Sequence, residues 1–124
     1  NQSSSGIIVS TGAGSTGWMS SVFNEASGII SYLGGQPIKP QLMSWEEERL
    51  LFVVREPFVS LHSQAAIVVG TIKPNEPLKL QSQMPRGGVI FSDGMESDYL
   101  EFNSGTDATI GLAREKANLV ASSN

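Results

Sequence analysis

One segment of this chain repeats its apolar residues at helical spacing, and every other apolar run is short and closed by a turn. Trp18, Met19, Val22, Phe23, Ala26, Ile29, Ile30 and Leu33 recur three and four apart. That spacing predicts an amphipathic helix of about four turns. Ser15 or Thr16 is placed to cap its start. Gly34-Gly35 ends it, and Pro37 and Pro40 prevent resumption. Before the helix, Ile7-Ile8-Val9 reads as a buried strand. After it come strand-like runs at Leu50–Val54, Ala65–Val69, Leu78–Leu80, Gly88–Phe91, Tyr99–Phe102, Thr109–Leu112 and Asn118–Ala121. Lys73–Glu76, Asp93-Gly94 and Ser104-Gly105 supply turns. The expected class is mainly β (α+β), an antiparallel β-sandwich with one N-terminal amphipathic helix.

Composition narrows the chemistry. The chain has 124 residues, enough for a single domain over 1–124. Eight basic against 12 acidic residues give a net charge of −4, which argues against a nucleic-acid face. There is no cysteine and only one histidine, His62, so thiolate chemistry and a multi-histidine metal site are excluded. No apolar run reaches the ~20 residues of a membrane helix. No basic-then-apolar leader is visible, and the expected location is the cytoplasm. The chain opens on Asn1 rather than Met, which reads as a piece of something longer.

The informative motif is Ser10-Thr11-Gly12-Ala13-Gly14-Ser15-Thr16-Gly17, set between strand and helix. Its glycines permit positive φ and close approach of a ligand to the backbone. The helix that follows offers unpaired amides and the positive end of its dipole. Hydroxyls on Thr11, Ser15 and Thr16 add donors. The loop suits a nucleotide phosphate or ribose, and it equally suits a tight strand-to-helix connection. Gly12-x-Gly14-x-x-Gly17 matches the dinucleotide fingerprint in letters. That fingerprint also needs a second strand ending in an acid about 20 residues on. No acid lies between Glu25 and Glu46, so the simple Rossmann reading fails. Lysine is missing after the glycines, so it is not a P-loop. Ala13-x-Ser15-x-Gly17 approximates a hydrolase nucleophile elbow, but His62 precedes Asp93 and Asp98, against that fold's order.

Gly6 to Trp18 resembles the G-L-I-V-S-T-P-T-G-S-T-A-Y segment of NAD kinases. Gly34-Gly35-Gln36-Pro37-Ile38 is similar to the family's G-G-P-I stretch, and Gly88–Gly94 to its strand ending in V-D-G. Leu50–Leu61 and Ala108–Val120 are similar to later strands of the same domain. The resemblance implies the distal part of an NAD kinase-like C-terminal domain, the β-rich part that receives NAD. In full length such an enzyme moves a phosphate from ATP, with a divalent metal such as Mg, to the adenosine 2′-hydroxyl of NAD. The G-G-D-G-T motif that handles ATP does not occur in this sequence, and neither does the Asn-Glu motif before the glycine loop. The resemblance therefore implies a missing N-terminal domain, no catalytic and no metal-binding residue in this chain, and a fragment inactive alone. It further implies a homodimer or homotetramer, with neither nucleic acid nor membrane as partner. A lipid-kinase-like relative of the same superfamily, and a non-catalytic nucleotide- or anion-binding module, are the alternatives.

Carried over residue by residue, the family's G-S-T falls on Gly14, Ser15 and Thr16, and its Ala-Tyr on Gly17 and Trp18. These five, with Thr11, Ser21 and Asp93, are the candidate NAD contacts. Ser21 lies one turn beyond Gly17 on the same face. The family's proline is Gly12 here, and its tyrosine is Trp18, which keeps a stacking face and moves the polar tip to an indole N–H. Trp18 is also the first residue of an apolar stripe, and so a core candidate. His62 reads as a structural histidine and Glu46-Glu47-Glu48 as a solvated loop. Asp93, Glu96, Asp98 and Glu101 read as the wet side of a hairpin rather than a Mg site. Arg86-Gly87-Gly88 reads as a turn.

Overall fold

Among the described residues the backbone forms three short antiparallel sheets and one helix. The computed structural model describes residues 4, 6–12, 14, 17–36, 47–57, 67–92 and 97–115. The elements are β1 (Gly6–Ser10), α1 (Trp18–Tyr32), β2 (Leu50–Arg55), β3 (Val69–Ile72), β4 (Leu78–Gln81), β5 (Val89–Phe91), β6 (Tyr99–Glu101) and β7 (Asp107–Ile110). The chain is mainly β with one helix, and every strand pair is antiparallel.

The first sheet has the order β1-β2-β3. Strand β2 is central because Leu50–Val54 is apolar on both sides, and a strand paired on both edges can bury both faces. Val53 and Val54 point to opposite faces, and both are buried. Ile72 of β3 and Met19 of α1 complete the buried apolar set among the described residues. Helix α1 lies against β1. The strand expected at 65–69 is displaced to 69–72, while residues 58–66 lie outside those described. Gly70 explains the shift: it sits opposite Phe52, whose ring occupies the space a Cβ would need. An isolated glycine that looks like a strand breaker is here what lets the strand pair.

The helix ends as its glycines dictate. The Gly34 amide donates to the Ser31 carbonyl at 3.1 Å and the Gly35 amide to the Ile30 carbonyl at 2.9 Å. Gly34 has φ +88, so this is a Schellman motif with glycine in its left-handed position. The start differs from expectation. The N-cap is Gly17, with no side-chain cap hydrogen bond among the described residues; Ser15 and Thr16 lie outside them.

Downstream, β3 returns through a turn in which the Glu76 amide donates to the Lys73 carbonyl at 3.0 Å. Then β4 pairs with β7, and β5 with β6. These two ribbons are collinear in sequence: 78–91 runs out and 99–110 runs back. Between the paired stretches seven residues, 82–88, face five, 102–106. A two-residue excess preserves which face each side chain takes. The excess is held by hydrogen bonds rather than left loose. Ser82 Oγ donates to the Phe102 carbonyl at 2.7 Å and accepts from the Met84 amide at 3.2 Å. The Gly88 amide donates to Asn103 Oδ1 at 2.9 Å. The last strand expected at 109–112 starts two residues earlier, at Asp107, in register with Gln81. The runs expected at Asp93-Gly94 and Asn118–Ala121 lie outside the described residues.

Candidate functional site

Strand β1 delivers the chain into the glycine loop with Ser10 buried at its end. Ser10 Oγ donates to the Thr11 carbonyl at 2.8 Å. Thr11 Oγ1 accepts from the Gly14 amide at 3.1 Å, and the Gly17 amide donates to the Gly14 carbonyl at 3.1 Å. Two turns in succession thus fold the loop back onto itself. The need for glycine at 14 is steric: an added Cβ meets Ser10 Oγ at 3.2 Å and Thr11 Oγ1 at 3.4 Å. Gly17 has φ −85, so left-handed freedom is not what it contributes.

The loop's polar groups are therefore partly spent internally. The Gly14 and Gly17 amides already have acceptors, and Thr11 Oγ1 is an acceptor in the turn. Ser20 closes the first helical turn, its amide and Oγ donating to the Gly17 carbonyl at 3.0 and 2.9 Å. Among the described residues no side-chain hydrogen bond caps the helix start.

Trp18 is 42% exposed, which sets it apart from the buried Met19 beside it. Its ring stands beside Arg55, whose guanidinium carbon lies 4.6 Å from the indole centroid. Arg55 is the last residue of β2, paired with Gly6, and its contact with the Trp18 ring places it at the first residue of α1. A cleft of about 120 Å³ opens here, with Trp18, Ser21 and Glu25 on the helix side and Val54, Arg55 and Glu56 on the strand side.

The structure thus brings Trp18 and Ser21 into one cleft, with Gly17 at its helical root. Thr11 and Gly14 sit in the adjoining turn. Ser15, Thr16 and Asp93 lie outside the described residues, as does His62. Asp98 and Glu101 are exposed, and among the described residues no group of three or more His, Asp or Glu is placed to hold a metal ion. Arg55, Glu25 and Glu56 were not singled out in the sequence. Arg55 ends an apolar run just before Glu56-Pro57, and only the folded structure shows that it meets the Trp18 ring.

No family model matches the chain, and no curated protein matches it. No helix among the described residues is long and apolar enough to cross a membrane.

Proposed function

We propose that this chain is the nucleotide-receiving part of an NAD kinase-like protein, binding NAD at the junction of β1 and α1. The observation that carries the reading is the cleft at the helix start. There the motif-matched Trp18, the first residue of α1, presents a partly exposed ring beside Ser21. A flat aromatic face beside hydroxyls and backbone donors suits a base and its ribose. The resemblance of Gly6–Trp18 to the family's segment supplies the identity of the nucleotide.

In this reading ATP and Mg belong to the G-G-D-G-T domain of a longer protein. Phosphoryl transfer to the 2′-hydroxyl is then the work of that longer protein in the cytoplasm, and this chain contributes substrate position only. The small antiparallel sheets close into the family's sandwich. Self-association as a homodimer or homotetramer is part of the proposal. The exposed Ile29, Tyr32 and Leu33 on α1 support it, since apolar surface grouped on one helix usually finds a partner. The anion-binding module is the weaker reading because two amides of the glycine loop already serve the loop itself.

Calorimetric titration of the protein with NAD tests the reading. Trp18→Ala should weaken binding by roughly 1–3 kcal/mol, the usual worth of a base stacked on an aromatic ring. Thr16→Ala should weaken it as well. Unchanged affinity in both variants refutes the site.

A further inference from the structure

We infer that the outer edge of β3 pairs with the same edge of a second copy of this chain, joining the two β1-β2-β3 sheets into one six-stranded antiparallel sheet. The inference goes beyond the nucleotide reading. It gives self-association a surface on the sheet, apart from α1, and it stands whether or not the chain binds NAD.

The first argument is the direction of the backbone groups. The Val54 amide donates to the Val68 carbonyl at 2.7 Å, which fixes the phase of the β2–β3 ladder. In an antiparallel pair, residues that exchange hydrogen bonds alternate with residues that do not. Val68, Gly70 and Ile72 therefore turn their backbone groups toward β2, and Val69 and Thr71 turn theirs outward. Among the described residues no strand pairs with that outer side. The edge offers two donors and two acceptors at the spacing of a further strand.

The second argument is chemical. Residues 68–72 hold no charge and no proline, and Val68 and Val69 are 45% and 52% exposed. Open edges are ordinarily blunted by charge, by proline, by shortness or by a covering element. The other outer strands follow that rule. Strands β4, β6 and β7 carry Lys79, Glu101 and Asp107, β5 has three residues, and α1 lies against β1. The outer side of β3 has none of these devices among the described residues.

The third argument selects the occupant. A two-fold axis at Gly70 sets Val69 opposite the partner subunit's Thr71, and Thr71 opposite the partner subunit's Val69. All four outward groups of each copy then find mates at once. β-branched side chains meet β-branched side chains, and no like charges oppose, which matters between two copies of a chain of net charge −4. On the opposite face the Phe52 ring covers Gly70, out at the edge strand. Across the seam the two Phe52 rings come together over the paired glycines and extend the apolar face. One such edge per copy makes the interface isologous, so assembly closes at a pair and does not run on into a fibre. A strand of unrelated sequence gains no such reciprocity.

Sedimentation equilibrium over a range of protein concentrations tests the pairing. Val69→Lys puts a charge on a half-exposed side chain at the seam, and circular dichroism checks that the fold survives. It should weaken association at least about tenfold. Val69→Thr keeps the branched side chain and should leave association intact. Leu33→Glu, on the exposed end of α1, should leave the β3-linked pair intact too. The chain has no cysteine, so Val69→Cys takes a single nitroxide label. Two labels facing each other near the seam should show dipolar broadening, and dilution with unlabelled protein should remove it. Association lost in Leu33→Glu and kept in Val69→Lys belongs to α1 and overturns the inference. So does a protein that stays monomeric throughout, or an associated sample whose label at 69 shows no broadening. Titration with NAD reads the nucleotide proposal separately, and its failure leaves the β3 pairing standing.

Discussion

Ser82 shows how much one hydroxyl can carry in a β-ribbon. It is 4% exposed, donates to the Phe102 carbonyl and accepts from the Met84 amide. Both partners sit where the paired ladder is interrupted, so neither has a ladder partner to fall back on. Alanine at 82 would remove a donor and an acceptor together and leave the part-buried Phe102 carbonyl and Met84 amide without this partner, at a cost of about 1 kcal/mol. Chemical denaturation of Ser82→Ala, followed by a probe on the ribbon, should show a lower midpoint for that unit. This role was illegible in the sequence. Gln81-Ser82-Gln83 is a polar stretch near a proline, and polar stretches near prolines read as loop. The seven-against-five mismatch that buries the hydroxyl exists only once the strands are paired. Trp18 is the opposite case. Its place at the head of the helix and its likeness to the family's tyrosine made it a candidate contact, and the structure gives it a partly exposed ring.

At the scale of elements, the helix end was legible and the helix start was not. Gly34-Gly35 after the last periodic residue is a local chemical signal, and the backbone uses it as expected. The start offered Ser15, Thr16 and Gly17 within three positions, and preference among neighbours depends on where the preceding strand aims the chain. The tight turn through Thr11 and Gly14 moves the cap to Gly17. Strands β3 and β7 were displaced for a similar reason: cross-strand partners, Phe52 for Gly70 and Gln81 for Asp107, set their bounds. The Schellman end makes a clean test. Gly34 holds φ +88, where an alanine Cβ crowds its own carbonyl, so Gly34→Ala should destabilise by about 1 kcal/mol. Thermal unfolding followed by circular dichroism reads that loss. Gly28→Ala is the contrast: an added Cβ meets nothing within 4 Å, and alanine is the better helix former, so it should stabilise by up to about 1 kcal/mol.

At the scale of the molecule, the substantial contacts between elements fall into two groups. Helix α1 joins β1, β2 and β3, while β4 pairs with β7 and β5 with β6. The four buried apolar residues all belong to the first group. The ribbon instead leaves Val89, Phe91, Tyr99 and Leu100 exposed and depends on hydrogen bonds at its interruption. Units held by exposed backbone hydrogen bonds and few buried contacts open at lower free energy than a core does. The ribbon should therefore open without the sheet. Amide hydrogen exchange followed by NMR distinguishes this from all-or-none unfolding. In Ser82→Ala, the amides of Gly88, Phe102, Ser104 and Thr106 should exchange faster, while those of Val53 and Val54 keep their protection. A single cooperative unit would instead speed exchange across both groups by the same factor, because every slow amide would then report one opening. The cleft between α1 and the end of β2 lies on the sheet-and-helix side of this division. Loosening the ribbon should consequently leave NAD binding at the Trp18 cleft unchanged, and a matched loss of affinity in Ser82→Ala would show that the two groups act as one body.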